Sequence, residues 1–183
     1  MGASTREIAR EAGCADGTLY VHFADRIDLF VALLDSYLPQ FVEPLRRLNQ
    51  MVGRRTVRRN LQEVLEATLA WQVRIGPLVG ALTADPALLK AFLERIQADG
   101  GGPHHSIAAV ERYIVAEQKL GRIEEKANAR GVAMIILGTP HYWVAISPFL
   151  QSDAKASPEF VKQTLDSLMI GLRPRRARIT AEK

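Results

Sequence analysis

A chain of 183 residues, 48% of them hydrophobic, is long enough to bury one medium core or a small domain fused to a larger one. Its single cysteine, Cys14, excludes an internal disulfide and a cysteine-built zinc site, and it suits a reducing cytoplasm. The net charge of +4 permits a polyanionic partner without requiring one. The longest apolar run, 132–137, stops at Gly138 and Pro140, too short to cross a bilayer.

The N-terminus lacks a basic stretch followed by an apolar one, so it does not read as a secretory signal. The charge is uneven. Residues 1–45 carry Arg6, Arg10 and Arg26 against seven carboxylates. The positive charge lies in two arginine runs, 46–59 and 173–178.

The periodicity is helical nearly throughout, and no segment alternates as a strand would, so the fold class is all-α. Thr5 caps a short helix with Ile8, Ala9 and Ala12 on one side and Gly13 at its end. A second short helix runs from about Ala15 to Phe23, with Leu19 and Phe23 one turn apart. Asp25 caps a third, with Asp28 in its first turn near the positive end of the dipole. That helix carries an apolar stripe to Phe41, and Pro39 and Pro44 predict a kink or an early stop.

Thr56 opens a helix reaching Leu69, and 75–86 reads as a separate short apolar helix between breakers. Pro86 starts the next, and the glycine-rich 99–105 is a loop. Pro103 begins a helix ending near Leu120, a long one follows from about Glu124 to Ile146, and the last begins at 157. The basic tail after Pro174 is expected to fray.

Two short helices about a tight glycine turn form a helix-turn-helix, whose second helix enters the DNA major groove. Gly17 lets backbone approach a base edge, and Thr18 offers a hydroxyl and a methyl. Tyr20 and His22 can donate to phosphate oxygens. Arg26 stands in a first turn, where the dipole disfavours a cation and a nearby phosphate would explain it. Thr5 and the N–H groups behind it make a phosphate seat.

The stretch REIAREAGCADGTLYVHFADRIDLF resembles the tetracycline-repressor (TetR) family of transcription regulators. The resemblance is specific over residues 5–34, in the AG turn, the GTLYxHF run and the Asp-capped helix, and architectural beyond them. It differs in Ala15, where the family usually caps with Ser or Thr, and in Asp16, where a basic residue is common. It also lacks the helix that the family places before Thr5.

The resemblance implies a DNA-reading head, incomplete at its N-terminus, over residues 1–38 and a helical effector-binding and dimerisation body over 39–183. It implies a cytoplasmic homodimer on a near-palindromic duplex operator, acting as a repressor released by a small apolar effector, with no membrane partner. Effector binding would shift the population toward a dimer whose heads are wrongly spaced. The alternative is a dimeric helical ligand-binding or interaction protein that no longer binds DNA, favoured by the acidic head. A helical adaptor without a pocket is a third reading.

Aromatic side chains from separate helices, Trp71, Phe92, Tyr113 and Tyr142, are candidates for an effector pocket, though a plain core is the commoner role for each. Gly131, Ile135, Gly138 and Tyr142 fall on one stripe, and Val161, Leu165, Leu168 and Leu172 on another. Two such helices from each subunit would build a four-helix dimer interface of roughly 2,000 Å². The arginine run 46–59 begins about 30 Å along the helix from Arg26, if that helix is continuous, and reads as a solvated face. His104 and His105 point apart on a helix and cannot share a metal. No catalytic fingerprint, metal set or cofactor motif is present, so neither an enzyme nor a cofactor is expected.

Overall fold

The computed structural model describes residues 9–11, 13, 15–151 and 158–174. The expected cap at Thr5 and the tail beyond Pro174 lie outside them. The described residues contain helices and turns and no strand. In chain order the helices are α1 (Asp16–His22), α2 (Arg26–Gln50), α3 (Val57–Thr83), α4 (Pro86–Ala98), α5 (His104–Lys119), α6 (Ala129–Ile146) and α7 (Pro158–Leu172), with a further helical turn at 9–11.

Most starts follow the capping chemistry. Asp25 Oδ1 accepts from the Ile27 and Asp28 amides at 2.7 and 2.9 Å. Thr56 Oγ1 accepts from Arg59 N, Asp85 Oδ1 from Leu88 N and Asn128 Oδ1 from Gly131 N. Each side chain satisfies an amide that the helix cannot reach.

Three boundaries differ from expectation. α2 runs through Pro39 and Pro44 without ending, and α3 takes 57–83 as one helix with Pro77 inside. A proline removes one intrahelical donor. Asp35 and Gln40, whose carbonyls lose their partners in α2, are exposed residues that water can reach. Later turns bury Phe41, Leu45 and Leu48 in α2 and Ile75 and Leu82 in α3. α6 starts at Ala129 rather than near 124, because Asn128 caps it and 120–128 is held as a loop.

By packing, the described residues form two compact units. One comprises those up to Pro39 with Arg74–Gly102; the other comprises Gln40–Val73 with those from Pro103 onward. This division assigns 74–102 to the same unit as α1. In the first unit Ala9, Leu29, Phe30, Ile75 and Leu82 are buried. Arg95 of α4 bonds Asp28 Oδ1 at 3.0 Å and Asp99 Oδ2 at 3.1 Å.

The second unit holds the larger core. Leu61 and Leu65 of α3, Val110 and Ile114 of α5, Ile136 of α6 and Leu165 of α7 are all fully buried. α5 and α6 pack along each other, and Glu124 N donates to Leu172 O at 2.9 Å, joining the loop before α6 to the end of α7.

Polar side chains also fix this unit. Tyr113 is fully buried and accepts from Asn60 Nδ2 at 2.9 Å, and burial pushes its phenol far above the usual range. Glu117, also fully buried, accepts from Gly53 N at 3.1 Å and lies 3.3 Å from Arg122 Nη1. Arg122 donates onward to the Arg55 carbonyl. These bonds fasten the turn between α2 and α3 to α5. Gly53 has φ +71°, a conformation that costs other residues, and a Cβ there would stand 3.2 Å from Leu120 Cδ1.

Candidate functional site

α1 is short and amphipathic. Leu19 and Phe23 are partly covered, while Gly17, Thr18, Tyr20, Val21 and His22 are exposed. Gly13 precedes it with φ +68° and donates to Arg10 O at 3.1 Å, closing the preceding helical turn as glycine does. Ala15 holds the cap position with extended backbone and no side-chain bond, its carbonyl accepting from Thr18 N at 2.8 Å. The helix start therefore has no side-chain acceptor for its first amides. Ala15→Ser is expected to stabilise the protein by about 1 kcal/mol, read as a higher midpoint in urea unfolding at unchanged slope.

The outward row presents a varied surface. A Cβ on Gly17 would meet nothing within 4 Å, so the backbone there is open to close approach. Tyr20 is 60% exposed and Val21 79%. Val21 is a residue that the sequence reading passed over. Its signal was present, because Leu19 and Phe23 claim the inner face and the residue midway between them must point out. Its methyls suit a thymine methyl.

Arg26 opens α2. Its guanidinium lies 5.4 Å from the Phe30 ring centroid, and Nε is shielded from solvent with no hydrogen-bond partner among the described residues. The aromatic face gives this first-turn cation a local attraction in addition to any phosphate. Thr5 lies outside the described residues.

The arginines of 46–59 are largely committed to neighbours. Arg46 and Arg47 pair with Glu43, Arg55 and Arg59 with Glu63, and Arg58 with Asp166. Those guanidinium groups hold Glu43 and Asp166 below the usual carboxylate range. A matched run of this kind is a solvated face.

The four pocket candidates occupy different surroundings. Phe92, partly covered, is in the first unit. In the second, Tyr113 belongs to the buried polar network, Trp71 stacks on Phe41 with centroids 4.5 Å apart, and Tyr142 is 66% exposed. Beside Trp71, the buried Gln72 lies with Oε1 3.3 Å from His141 Nδ1. A shallow groove of about 440 Å³ runs along α5, lined by Ala108, Glu111, Arg112, Val115, Ala116 and Lys119; none of the four lines it.

The expected interface stripes also separate. On α6, Ile135, Gly138 and Tyr142 are exposed and Gly131 is partly so, with Met134 exposed beside them. On α7, Val161, Leu165 and Leu172 are buried inside the protomer and Leu168 is partly covered. Within the single chain the apolar side of α7 is covered by the chain's own core. The side left open carries Gln163, Ser167, Ile170 and Gly171.

Residues 2–33 match the family described as bacterial regulatory proteins, tetR family. Over that segment the chain is similar to the tetR-family regulators. The match spans the turn at Gly13, all of α1 and the first turns of α2, the segment that bears the outward row. Two solved structures share the fold of nearly the whole chain. The fatty acid degradation regulator FadR from Bacillus halodurans has a TM-score of 0.66 at 21% identity, covering 94% of this chain and 87% of that one. The transcriptional regulator FadR from Bacillus subtilis, in complex with stearoyl-CoA, has a TM-score of 0.64 at 19% identity, covering 92% and 88%. No curated protein matches the sequence. The family matched over residues 2–33 is one of regulatory proteins. No helix among the described residues is long and apolar enough to cross a membrane.

Proposed function

We propose that the regulator is a cytoplasmic homodimeric repressor that binds a near-palindromic operator through α1 and leaves it when a small, mostly apolar effector binds the helical body. The observation that carries the reading is the outward row of α1: Gly17, Thr18, Tyr20, Val21 and His22 exposed together on a helix held by Leu19 and Phe23. Thr18, Tyr20 and His22 offer donors to phosphate, Gly17 leaves room for the backbone to approach, and Val21 supplies an apolar contact. Arg26 and Thr5 complete the proposed phosphate contacts. Residues 1–38 are the reading head and 39–183 the effector and dimer body, and α2 carries the chain from one to the other.

The effector reading draws on the Bacillus subtilis FadR, whose ligand is stearoyl-CoA. An acyl chain is the apolar class expected here. Repression and release follow if the effector favours a dimer geometry whose heads no longer match the half-site spacing.

The test is selection of bound duplexes from random-sequence DNA, followed by salt titration of the selected site. The expected product is a near-palindrome whose affinity falls steeply with salt. Tyr20→Phe and His22→Ala are expected to weaken binding to specific and non-specific DNA alike. A change of base preference at one operator position without general loss would refute the phosphate roles. Recovery of no enriched duplex would favour a ligand-binding protein that does not read DNA.

A further inference from the structure

Little holds α4 in place. Each of α2, α3, α5, α6 and α7 buries three or more side chains, whereas none of the 13 residues of α4 is buried. Its apolar side, Leu88, Leu89, Phe92 and Ile96, is half-covered, and Leu93 is 47% exposed. Half-covered apolar surface contributes only part of the free energy of full burial. Elements with few buried contacts open locally at a lower cost than the whole fold.

The two ends of α4 differ. At its start, Asp85 Oδ1 accepts from the Leu88 amide and Pro86 fixes the first turn. Past its end, Gly100 has φ +70° and Gly102 φ +139°, so the backbone there can turn without a side chain to resist it.

The remaining tie is one side chain. Arg95 Nη1 lies 3.0 Å from Asp28 Oδ1 in the first turn of α2, and Arg95 Nε lies 3.1 Å from Asp99 Oδ2. Among the described residues, the bond to Asp28 is the only hydrogen bond from a side chain of α4 to another helix. The Asp99 hydrogen bond and the Asp28 charge hold the guanidinium above its usual range. An isolated exposed pair contributes little, but a guanidinium between two carboxylates is a network, in which Asp99 orients the fork that Asp28 meets.

We propose that α4 is a detachable helix, latched to the first turn of α2 by Arg95 between Asp28 and Asp99, which opens as a unit while the rest of the fold stays closed. Opening bares Leu88, Leu89, Phe92 and Ile96, an apolar surface fully available only in the open state. The latch is electrostatic, so salt loosens it. The proposal stands on packing within the first unit and needs neither the DNA reading nor the effector reading.

The test is hydrogen exchange of the full chain under native conditions, resolved by helix. Relative to their intrinsic rates, α4 amides are expected to exchange about tenfold faster or more than those around Leu61 of α3 and Ile114 of α5. Arg95→Gln keeps a similar helix propensity, so its effect reports the lost charge. It should speed exchange in α4 about three- to fivefold and leave α5 unchanged. Asp28→Asn removes only the tie to α2 and should speed α4 by a similar factor, with the double variant no faster than Arg95→Gln alone. Added salt should speed α4 in the unmodified chain and not in the double variant. Amides of α4 that exchange as slowly as those of α3 and α5 overturn the detachable helix. Acceleration by Arg95→Gln without acceleration by Asp28→Asn reduces Arg95 to a support of its own helix and overturns the latch. Equal acceleration of every helix overturns the local opening.

Discussion

Glu117→Ala is expected to cost the regulator about 3–5 kcal/mol of stability, the penalty for breaking a buried ion pair by removing one partner. Glu117 is wholly enclosed, whereas the Arg122 side chain retains 27% exposure. Removing the carboxylate strips the Gly53 amide of its acceptor and leaves the guanidinium partly buried, held by backbone carbonyls alone. Because Gly53 and Arg55 lie in the turn between α2 and α3, the damage reaches the joint between two helices rather than one side chain. Glu117→Gln separates the two contributions. Its amide oxygen can still accept from Gly53, so only the charge attraction is lost and the cost should be about 1–3 kcal/mol. Urea unfolding of the three proteins is the measurement. A cost under about 1 kcal/mol for Glu117→Ala would mean that the pair gives back in desolvation all that it gains in attraction, and that the turn is held by other means.

That network shows what the sequence carried and what it withheld. Val110, Tyr113, Ile114 and Glu117 follow helical spacing, so Glu117 stands at an inner position of α5. A carboxylate in the apolar register is a legible sign of a buried partner. The partner is not legible, because Gly53 lies 64 residues away across a turn that only the fold closes.

The head was read most completely because its signals are local. Asp25 as a cap, Gly13 as a stop and Ala15 as an empty cap each depend on residues within one turn. Proline positions misled where burial outweighed a lost donor, as at Pro39, Pro44 and Pro77, since a sequence window cannot weigh the later apolar turns against the break. The stacking of Trp71 on Phe41 was beyond reach for a similar reason. A tryptophan's stacking partner and the surroundings of its N–H are set by other helices.

The stripe on α7 illustrates a different limit. Its period was right, yet a period states only that a face is covered, not whether the cover is the same chain or another copy. With Val161, Leu165 and Leu172 buried in the protomer, we propose that the dimer uses another face. The exposed side of α6 supplies Met134, Ile135, Gly138 and Tyr142, and that of α7 supplies Ile170 and Gly171. Ile170 is 72% exposed and Tyr142 66%, a large apolar content for two neighbouring segments of one unit. Gly138 and Gly171 leave open space where a Cβ would stand, room for a second helix to approach.

The two faces make opposite predictions. Ile135→Glu combined with Tyr142→Glu is expected to leave the helical fold intact and to yield a monomer, because both side chains are already at the surface of the single chain. Operator affinity should fall with it, since a near-palindrome is read by two heads and a lone head forfeits the second half-site. Leu165→Glu is expected instead to unfold the protein, as it would bury an unpaired carboxylate at a fully enclosed position. Sedimentation at micromolar concentration together with circular dichroism distinguishes the cases. A folded dimer that survives Ile135→Glu with Tyr142→Glu would reject this face as the interface. A folded monomer produced by Leu165→Glu would return the interface to the buried stripe, requiring that α7 pack differently in the assembled regulator. An unmodified chain that sediments as a stable monomer would remove the two-fold mechanism itself, because release by respacing the heads needs two of them.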